Sequence, residues 1–317
     1  MESLDRADIE AVDAAVAKAK AAFPSWAAVA PGDRAKLIRQ LVSVMEEHHE
    51  ELSVLEARNA GKPLASARGE IGAAIGEKRL LADGDAIQIG RSPRFVGQHV
   101  LTSRHGVAVH INAFNFPAWG LAEKAAVALL AGVPVLTKPA TSSALAAHRL
   151  FELLVESGLW PVGSLSLLLG RAGDLTEHLE GQDCLAFTGG ASTAALLRVT
   201  SGVVDRGTRL NVEADSLNAA VLGPDADADS ETWDLCLKDV LRDMTQKAGQ
   251  KCTAIRRILI PEALSERFRD ELADRLGAVV VGNPATEGVR MGPVATSGQR
   301  QAVLDGLSLL ARDGRLV

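Results

Sequence analysis

The sequence predicts an α/β fold in which a parallel β-sheet is covered by helices on both faces. Short strands that contain β-branched residues alternate with helices through the middle of the chain. The predicted strands cover residues 133–137, 164–169 and 184–188, and the predicted helices cover residues 119–130, 142–156, 174–179 and 192–199. Strands that alternate with helices in this way pair in parallel and are buried on both faces. At 317 residues the chain is also long enough for two domains.

Helices are predicted before the sheet. The Ala-rich residues 7–23 have the apolar spacing of a helix. Asp33 is placed to cap a long second helix over residues 34–59, which Gly61 closes. The first β-like runs follow at residues 98–104 and 106–111.

A turn-rich, acidic segment over residues 223–229 is the best candidate for a domain boundary. We therefore divide the chain into domains of residues 1–222 and 223–317. The second domain is predicted to contain a helix over residues 231–246, a loop around Cys252, a strand over residues 255–260 and a helix over residues 262–276.

The composition excludes several classes of function. The net charge is −6 and there is no basic stripe, so we expect no nucleic-acid partner. The acidic N-terminus lacks a hydrophobic signal region, and the longest apolar run, residues 125–136, is too short to span a bilayer. Three widely spaced cysteines, Cys184, Cys236 and Cys252, favour a reducing cytoplasm over a disulfide framework. No spacing of Cys or His predicts a metal site.

Cys252 is the most informative residue, although a lone cysteine is usually a small buried hydrophobe. Four motifs in this order instead indicate a catalytic nucleophile, because together they resemble those of the aldehyde dehydrogenase superfamily. The motifs are Asn112–Pro117 with Asn-Phe-Pro at its end, Thr137–Ala140 with Lys-Pro-Ala, Phe187–Gly190 with Phe-Thr-Gly, and Gly249–Ala254 with the Gly-Gln-x-Cys pattern. Turns at Gly282–Pro284 and Met291–Pro293 fall where the family has similar turns. The resemblance covers about residues 6 to 295.

The resemblance implies a fold and a mechanism. It implies a Rossmann-type nucleotide-binding domain over residues 1–222, followed by an α/β catalytic domain. In the mechanism the Cys252 thiolate attacks an aldehyde, hydride leaves for the nicotinamide, and water cleaves the resulting thioester. The Asn115 side-chain amide and the Cys252 backbone N–H would stabilise the tetrahedral alkoxide. Glu213 would be the general base, which a largely apolar cleft could prepare for this role. This base favours release of a free acid over transfer of the acyl group to coenzyme A.

A dinucleotide site is implied as well, although the chain has no Gly-x-Gly-x-x-Gly fingerprint. In the family, the lysine of Lys-Pro-Ala contacts the adenosine ribose and the Phe-Thr-Gly turn opens a helix that faces the pyrophosphate. The residues expected to bind the cofactor are Phe114, Lys138, Ala140, Thr141, Thr188, Gly189 and Gly190. NAD-preferring members commonly have Glu after Lys-Pro-Ala, where this chain has Thr141 and Ser142. We therefore predict NADP as the cofactor, with NAD as the alternative.

The segment 211–218 departs from the family pattern. Asp215 and Ser216 replace the two glycines of the usual Glu-Leu-Gly-Gly. The segment most resembles a subgroup that oxidises CoA-linked aliphatic semialdehydes in the aerobic degradation of aromatic acids. The implied substrate is a small aldehyde of that kind. Arg256 and Arg257 would then contact a CoA phosphate, or be surface charges that flank a strand.

The family's chains continue after the Met-Gly-Pro turn with a Glu-x-Phe-Gly-Pro segment and a strand used in oligomerisation. Neither is present in residues 1–317, so we expect an incomplete catalytic domain from a parent enzyme that is a homodimer. One alternative is a nucleotide-binding remnant without turnover. Another is a cysteine hydrolase that uses Cys252 and Glu213 without a nucleotide, against which the Lys-Pro-Ala and Phe-Thr-Gly motifs argue.

Overall fold

The computed structural model describes residues 9–83 and 105–314, which form two compact units. Within these ranges, the first unit takes residues 9–56, 68–83 and 105–215, and the second takes residues 57–67 and 216–314. The predicted strand at residues 98–104 lies outside the described residues. None of the helices in the described ranges is long and apolar enough to cross a membrane.

The first unit is a five-stranded sheet with helices on both faces. Its strands are β1 (Ala108–Ile111), β2 (Val135–Lys138), β3 (Leu165–Leu167), β4 (Cys184–Gly189) and β5 (Arg209–Ala214). They pair in parallel in the order β3-β2-β1-β4-β5. This is the strand order of an open Rossmann-type sheet, in which the connecting helices cover both faces. The predicted α/β fold with a parallel sheet is therefore confirmed.

The helices that begin before residue 216 in the described part of the chain include those predicted at residues 119–130, 142–156 and 192–199. They are α1 (Ile9–Ala28), α2 (Pro31–Glu47), α3 (His49–Ala60), α4 (Leu64–Asp83), α5 (Pro117–Leu130), α6 (Ala144–Glu156), α7 (Ala191–Arg198) and α8 (Ser201–Val204). The predicted helix at 174–179 is a short 3₁₀ turn over Leu175–His178. Helices α1 and α7 share a core cluster with Val109 and Leu185, whereas α5 packs with Ala108 and Val135 on the opposite face.

The single long helix predicted over residues 34–59 is wrong, because the structure has two helices there. Helix α2 ends at Glu47, and His48 leaves the helical region with φ −103° and ψ 20° before α3 begins. The predicted cap at Asp33 is also wrong. Pro31 occupies the first turn of α2, where its fixed φ suits the helix, and Asp33 lies inside that turn.

The second unit contains a smaller parallel sheet. Strand β6 (Asn218–Val221) pairs with β7 (Ile255–Leu259) through α9 (Glu231–Thr245), and α10 (Glu262–Gly277) and α11 (Ser297–Asp313) follow. Trp233 and Leu237 of α9 pack with Phe268 of α10 in the core of this unit. The division in the chain falls between residues 215 and 216, whereas we placed the domain boundary after residue 222. The difference arises because β6 pairs with β7 and so belongs to the second unit.

Candidate active site

The cofactor residues predicted from the sequence lie at or just beyond the carboxyl ends of the strands of the five-stranded sheet. All strands of a parallel sheet end on the same side, and ligands of open α/β sheets bind there. Strand β1 leads into the Asn-Phe-Pro motif, β2 ends at Lys138, β4 ends at Gly189 and β5 carries Glu213. The structure therefore brings the Asn-Phe-Pro, Lys-Pro-Ala and Phe-Thr-Gly motifs and Glu213 to the carboxyl edge of one sheet.

Asn115 lies in the turn between β1 and α5 and is half-buried. The turn is anchored at both ends. Before it, the backbone N–H of Asn112 donates to the Lys138 carbonyl, with 3.0 Å between the two atoms. After it, the backbone N–H of Ala118 donates to the Glu56 carboxylate over 3.1 Å. Glu56 is fully buried and satisfies an amide at the N-terminus of α5, a role that sequence analysis did not predict.

Lys138 and Thr141 bound the second motif. The Lys138 side chain is 7% exposed, its ammonium donates to the Pro139 carbonyl, and burial lowers its pKa below the ordinary value. The Thr141 hydroxyl donates to the Gly170 carbonyl over 3.1 Å. The Thr141 hydroxyl therefore already donates its hydrogen bond within the protein.

The Gly189–Gly190 turn connects β4 to α7. A Cβ on Gly189 would lie 2.5 Å from the ring of Phe187, so a larger residue would require that ring to move. A Cβ on Gly190 would have its nearest neighbour 4.0 Å away, so the space beside Gly190 is open. The backbone N–H of Ala191, the first residue of α7, donates to the Asp215 carboxylate over 3.1 Å.

Glu213 stands in register with Thr188 on the neighbouring strand. The Thr188 hydroxyl donates to the Glu213 carboxylate over 3.4 Å, which joins the predicted base to the Phe-Thr-Gly motif. Glu213 is exposed and lines a cavity of about 770 Å³ between α5 and strands β1, β4 and β5. Lys124, Glu123 and Arg209 also line that cavity, together with apolar side chains that include Val127 and Leu210.

His110 and Lys124 are the most perturbed groups in this cavity, and sequence analysis gave neither a role. The His110 side chain is buried, and burial together with the Lys124 charge lowers its pKa to about 3. Burial lowers the pKa of Lys124, and the negative charges of Glu123 and Glu213 offset part of this by raising it. The Lys124 ammonium donates to the Asn112 side-chain carbonyl over 3.3 Å. At neutral pH the cavity floor therefore holds an uncharged imidazole beside Lys124.

Cys252 lies in the second unit and is the exposed one of the three cysteines, while Cys184 and Cys236 are half-buried. Its backbone carbonyl accepts hydrogen bonds from the Asn218 side-chain amide, over 2.7 Å, and from the Ser216 hydroxyl. The same Asn218 amide donates to the Ala254 carbonyl over 3.2 Å. Two side chains from the start of the second unit thus fix the backbone at the predicted nucleophile.

The loop before Cys252 makes a left-handed turn. Lys247, Ala248 and Gly249 have φ values of 52°, 53° and 71°. Only glycine adopts this region without strain, so the two preceding residues each cost about 1–2 kcal/mol relative to a right-handed conformation. The Lys251 ammonium pairs with the Asp243 carboxylate over 2.8 Å, with both side chains largely buried. The turn is thus held in place by contacts at its end.

Arg256 and Arg257 hold backbone around the same loop. The Arg256 guanidinium donates to the Gly249 carbonyl over 2.7 Å, and that of Arg257 donates to the Leu217 carbonyl over 2.7 Å. Both residues are exposed on β7, as expected for surface charges, and the contact to a CoA phosphate stays a prediction. Both side chains support the fold of the Cys252 loop.

The predicted catalytic residues are divided between the two units. Asn115 and Glu213 belong to the first and Cys252 to the second. Within the first unit the structure brings Thr188 beside Glu213. Within the second it brings Asn218 beside the Cys252 carbonyl.

Comparison with known proteins gives consistent matches. A model of the aldehyde dehydrogenase family matches residues 1–315. The chain is 42% identical over 298 residues to 3,4-dehydroadipyl-CoA semialdehyde dehydrogenase of Aromatoleum evansii, which covers 90% of this chain and 58% of that protein. The structure of an NADP-dependent enzyme of E. coli has a TM-score of 0.88 and 26% identity, and covers 99% of this chain and 66% of that chain. Betaine aldehyde dehydrogenase of Staphylococcus aureus in complex with NAD+ has a TM-score of 0.87 and 25% identity, and covers 98% and 62%.

The chain spans only part of its relatives. It covers between 58% and 64% of the length of five curated relatives that it matches.

Proposed function

Because the chain belongs to the aldehyde dehydrogenase family, we propose that it carries the nucleotide-binding domain and the nucleophile of an NADP-dependent aldehyde dehydrogenase. The reaction oxidises an aldehyde to the carboxylic acid through a thiohemiacetal and a thioester on Cys252. The observation that carries this proposal is the exposure of Cys252 at the end of the Gly-Gln-Lys-Cys motif. The Asn218 amide and the Ser216 hydroxyl both donate to the backbone carbonyl of Cys252 and so fix its position.

The side chains have separate roles in the proposed reaction. The Cys252 sulfur attacks the aldehyde carbon, and the Asn115 amide with the Cys252 backbone N–H stabilises the oxyanion that forms. Bound NADP would accept the hydride that leaves this carbon. Glu213 then takes a proton from the water that cleaves the thioester. The hydrogen bond from Thr188 orients the Glu213 carboxylate for that step.

The residues at the carboxyl edge of the sheet fit a dinucleotide. The N-terminus of α7 offers backbone amides to an anion, and the open space beside Gly190 leaves room for one. Lys138 ends strand β2 and Ala140 lies two residues beyond it, and both would hold the adenosine end. Phe114 lies in the turn after β1, the strand between β2 and β4. This arrangement supports a nucleotide-binding role for the first unit, which ends at residue 215 rather than at residue 222 as predicted.

The choice of NADP depends on a missing carboxylate. Position 141 has no acidic group to repel a 2′-phosphate, which supports NADP over NAD. The Thr141 hydroxyl gives its proton to the Gly170 carbonyl, so it contributes no free donor to a phosphate. The preference is therefore expected to come from removed repulsion rather than from a new hydrogen bond.

The substrate that we propose is a CoA-linked aliphatic semialdehyde. The support is the relative at 42% identity, whose name gives a CoA-linked semialdehyde as its substrate. Release of a free acid, rather than transfer to coenzyme A, is supported by Glu213 beside Thr188 at the end of the sheet.

The test is cofactor reduction by the 317-residue chain. Purified protein is mixed with a CoA-linked semialdehyde and either NADP or NAD, and reduced cofactor is followed at 340 nm. The proposal predicts a higher kcat/KM with NADP, and no turnover in Cys252→Ser. Cys236→Ser is the matched control and is expected to retain activity, because that residue is half-buried on α9.

Two outcomes contradict the proposal. Full activity in Cys252→Ser would exclude the nucleophile. Binding of NADP without reduction by any aldehyde would leave a nucleotide-binding protein without turnover. Equal efficiency with both cofactors, or a preference for NAD, would contradict the choice of NADP alone.

A further inference from the structure

Asp215 fixes the turn at the start of α7 through two hydrogen bonds. It follows β5 directly and has a left-handed φ of 51°. Its backbone N–H donates to the Gly189 carbonyl over 3.4 Å, and its carboxylate accepts from the backbone N–H of Ala191 over 3.1 Å. The residue is therefore held with its negative charge against the first amide of the helix.

That amide is one that an anionic ligand of α7 would use. The first amides of a helix have no partner within the helix and carry the positive end of its dipole. The Asp215 side chain is exposed, and within residues 9–83 and 105–314 no Lys, Arg or His forms an ion pair with it. The negative charge of the Asp215 carboxylate at the N-terminus of α7 is therefore not neutralised by an ion pair with any described residue.

We propose that Asp215 is an internal competitor of the dinucleotide diphosphate and lowers the affinity of the protein for its cofactor. The diphosphate and the Asp215 carboxylate are both anions that use the N-terminus of α7, so one weakens the binding of the other. This inference rests on the proposed function, because it requires a dinucleotide at that helix. The diphosphate is common to NAD and NADP, and the penalty is therefore the same for both.

Two substitutions separate the charge from the backbone. Asp215→Asn keeps the size of the side chain and tolerates the left-handed conformation, but removes the charge. Asp215→Gly removes the side chain and suits the left-handed φ. The matched control is Asp205→Asn, which makes the same change of net charge at an exposed residue that ends α8.

The experiment is a fluorescence titration of each protein with NADPH and with NADH, at about 20 mM and about 500 mM KCl. Both Asp215 variants are expected to bind each cofactor about fivefold more tightly than the wild type at low salt, the factor for two unit charges about 4 Å apart in water. The ratio of the two dissociation constants stays unchanged. The gain shrinks at high salt because the repulsion is screened, and Asp205→Asn binds like the wild type.

The outcomes distinguish this inference from the proposed function. If the wild type binds NADPH and Asp215→Asn binds it equally or more weakly, the inference is rejected while the nucleotide site stands. If the gain appears for NADPH but not for NADH, the charge acts on the 2′-phosphate and the inference is also rejected. If neither the wild type nor any variant binds a dinucleotide, the nucleotide site and the inference fall together.

Discussion

The buried imidazole of His110 should make the stability of the protein depend on pH. Burial and the neighbouring Lys124 charge lower its pKa to about 3, whereas an unfolded chain has a histidine pKa of about 6.5. A group whose pKa is depressed in the folded state binds its proton first in the unfolded state. Acidification below pH 6.5 therefore favours unfolding, down to the pKa of the folded state.

The magnitude follows from the two pKa values. Each pH unit between them costs about 1.4 kcal/mol, so the free energy of unfolding should fall by about 2 kcal/mol between pH 6.5 and pH 5 through this group. The His110 side chain is buried, so solvent does not screen the effect as it would at the surface. At pH 8 the imidazole is neutral in both states and contributes no pH dependence.

The assay is urea unfolding of the wild type and His110→Gln at pH 8, 7, 6 and 5. Glutamine cannot take up the proton, so the variant lacks this loss on acidification. The difference at pH 8 gives the packing cost of the substitution and serves as the internal control. At pH 5 the free energy of unfolding of the variant, minus that of the wild type, should be about 2 kcal/mol higher than the same difference at pH 8. A difference that stays constant from pH 8 to pH 5 would refute the reasoning.

Three further predictions concern the loop of the proposed nucleophile. Asn218→Ala removes two hydrogen bonds to backbone carbonyls and should lower the free energy of unfolding by about 1–3 kcal/mol, measured in urea. Ala248→Gly removes the backbone strain of a non-glycine residue in the left-handed region and should raise the free energy of unfolding by about 0.5–1 kcal/mol. Gly249→Ala should lower the free energy of unfolding, because it adds such strain. Iodoacetamide should modify Cys252 before Cys236, because Cys252 is exposed and burial raises the pKa of the Cys236 thiol; peptide mapping gives the order.

Each of these has an outcome that contradicts it. An Asn218→Ala variant as stable as the wild type would mean that the carbonyl contacts do not support the loop. A destabilised Ala248→Gly variant would argue against strain in the turn. Alkylation of Cys236 first would show that exposure does not control the reactivity of these thiols.

Much of the first unit could be predicted because its signals are local. Buried strands such as β2 and β4 are short apolar runs between helices, and their motifs stand at strand ends where a parallel sheet gathers them. Strand β5 was not predicted, although Arg209, Asn211 and Glu213 alternate with its apolar residues in the pattern of a half-buried strand at the edge of a sheet. The break at His48 was missed because both helices continue the same composition across it.

The site could be predicted only in part, since several of its contacts join distant segments. The Cys252 carbonyl is held by Asn218, 34 residues earlier, and the α5 terminus by Glu56, 62 residues before Ala118. No local pattern marks such pairs. Asp215 was recognised as a departure from the family pattern, but only the fold shows that its carboxylate reaches α7.

The most direct measurement of the central proposal is detection of an acyl group on Cys252. The Glu213→Gln variant lacks the proposed base, so the thioester should form and then hydrolyse slowly. With a CoA-linked semialdehyde and NADP, we predict one reduced cofactor per chain in a burst, and mass spectrometry of the digested protein should place the acyl group on Cys252. A burst without modification of Cys252, or an acyl group on another residue, would contradict the account.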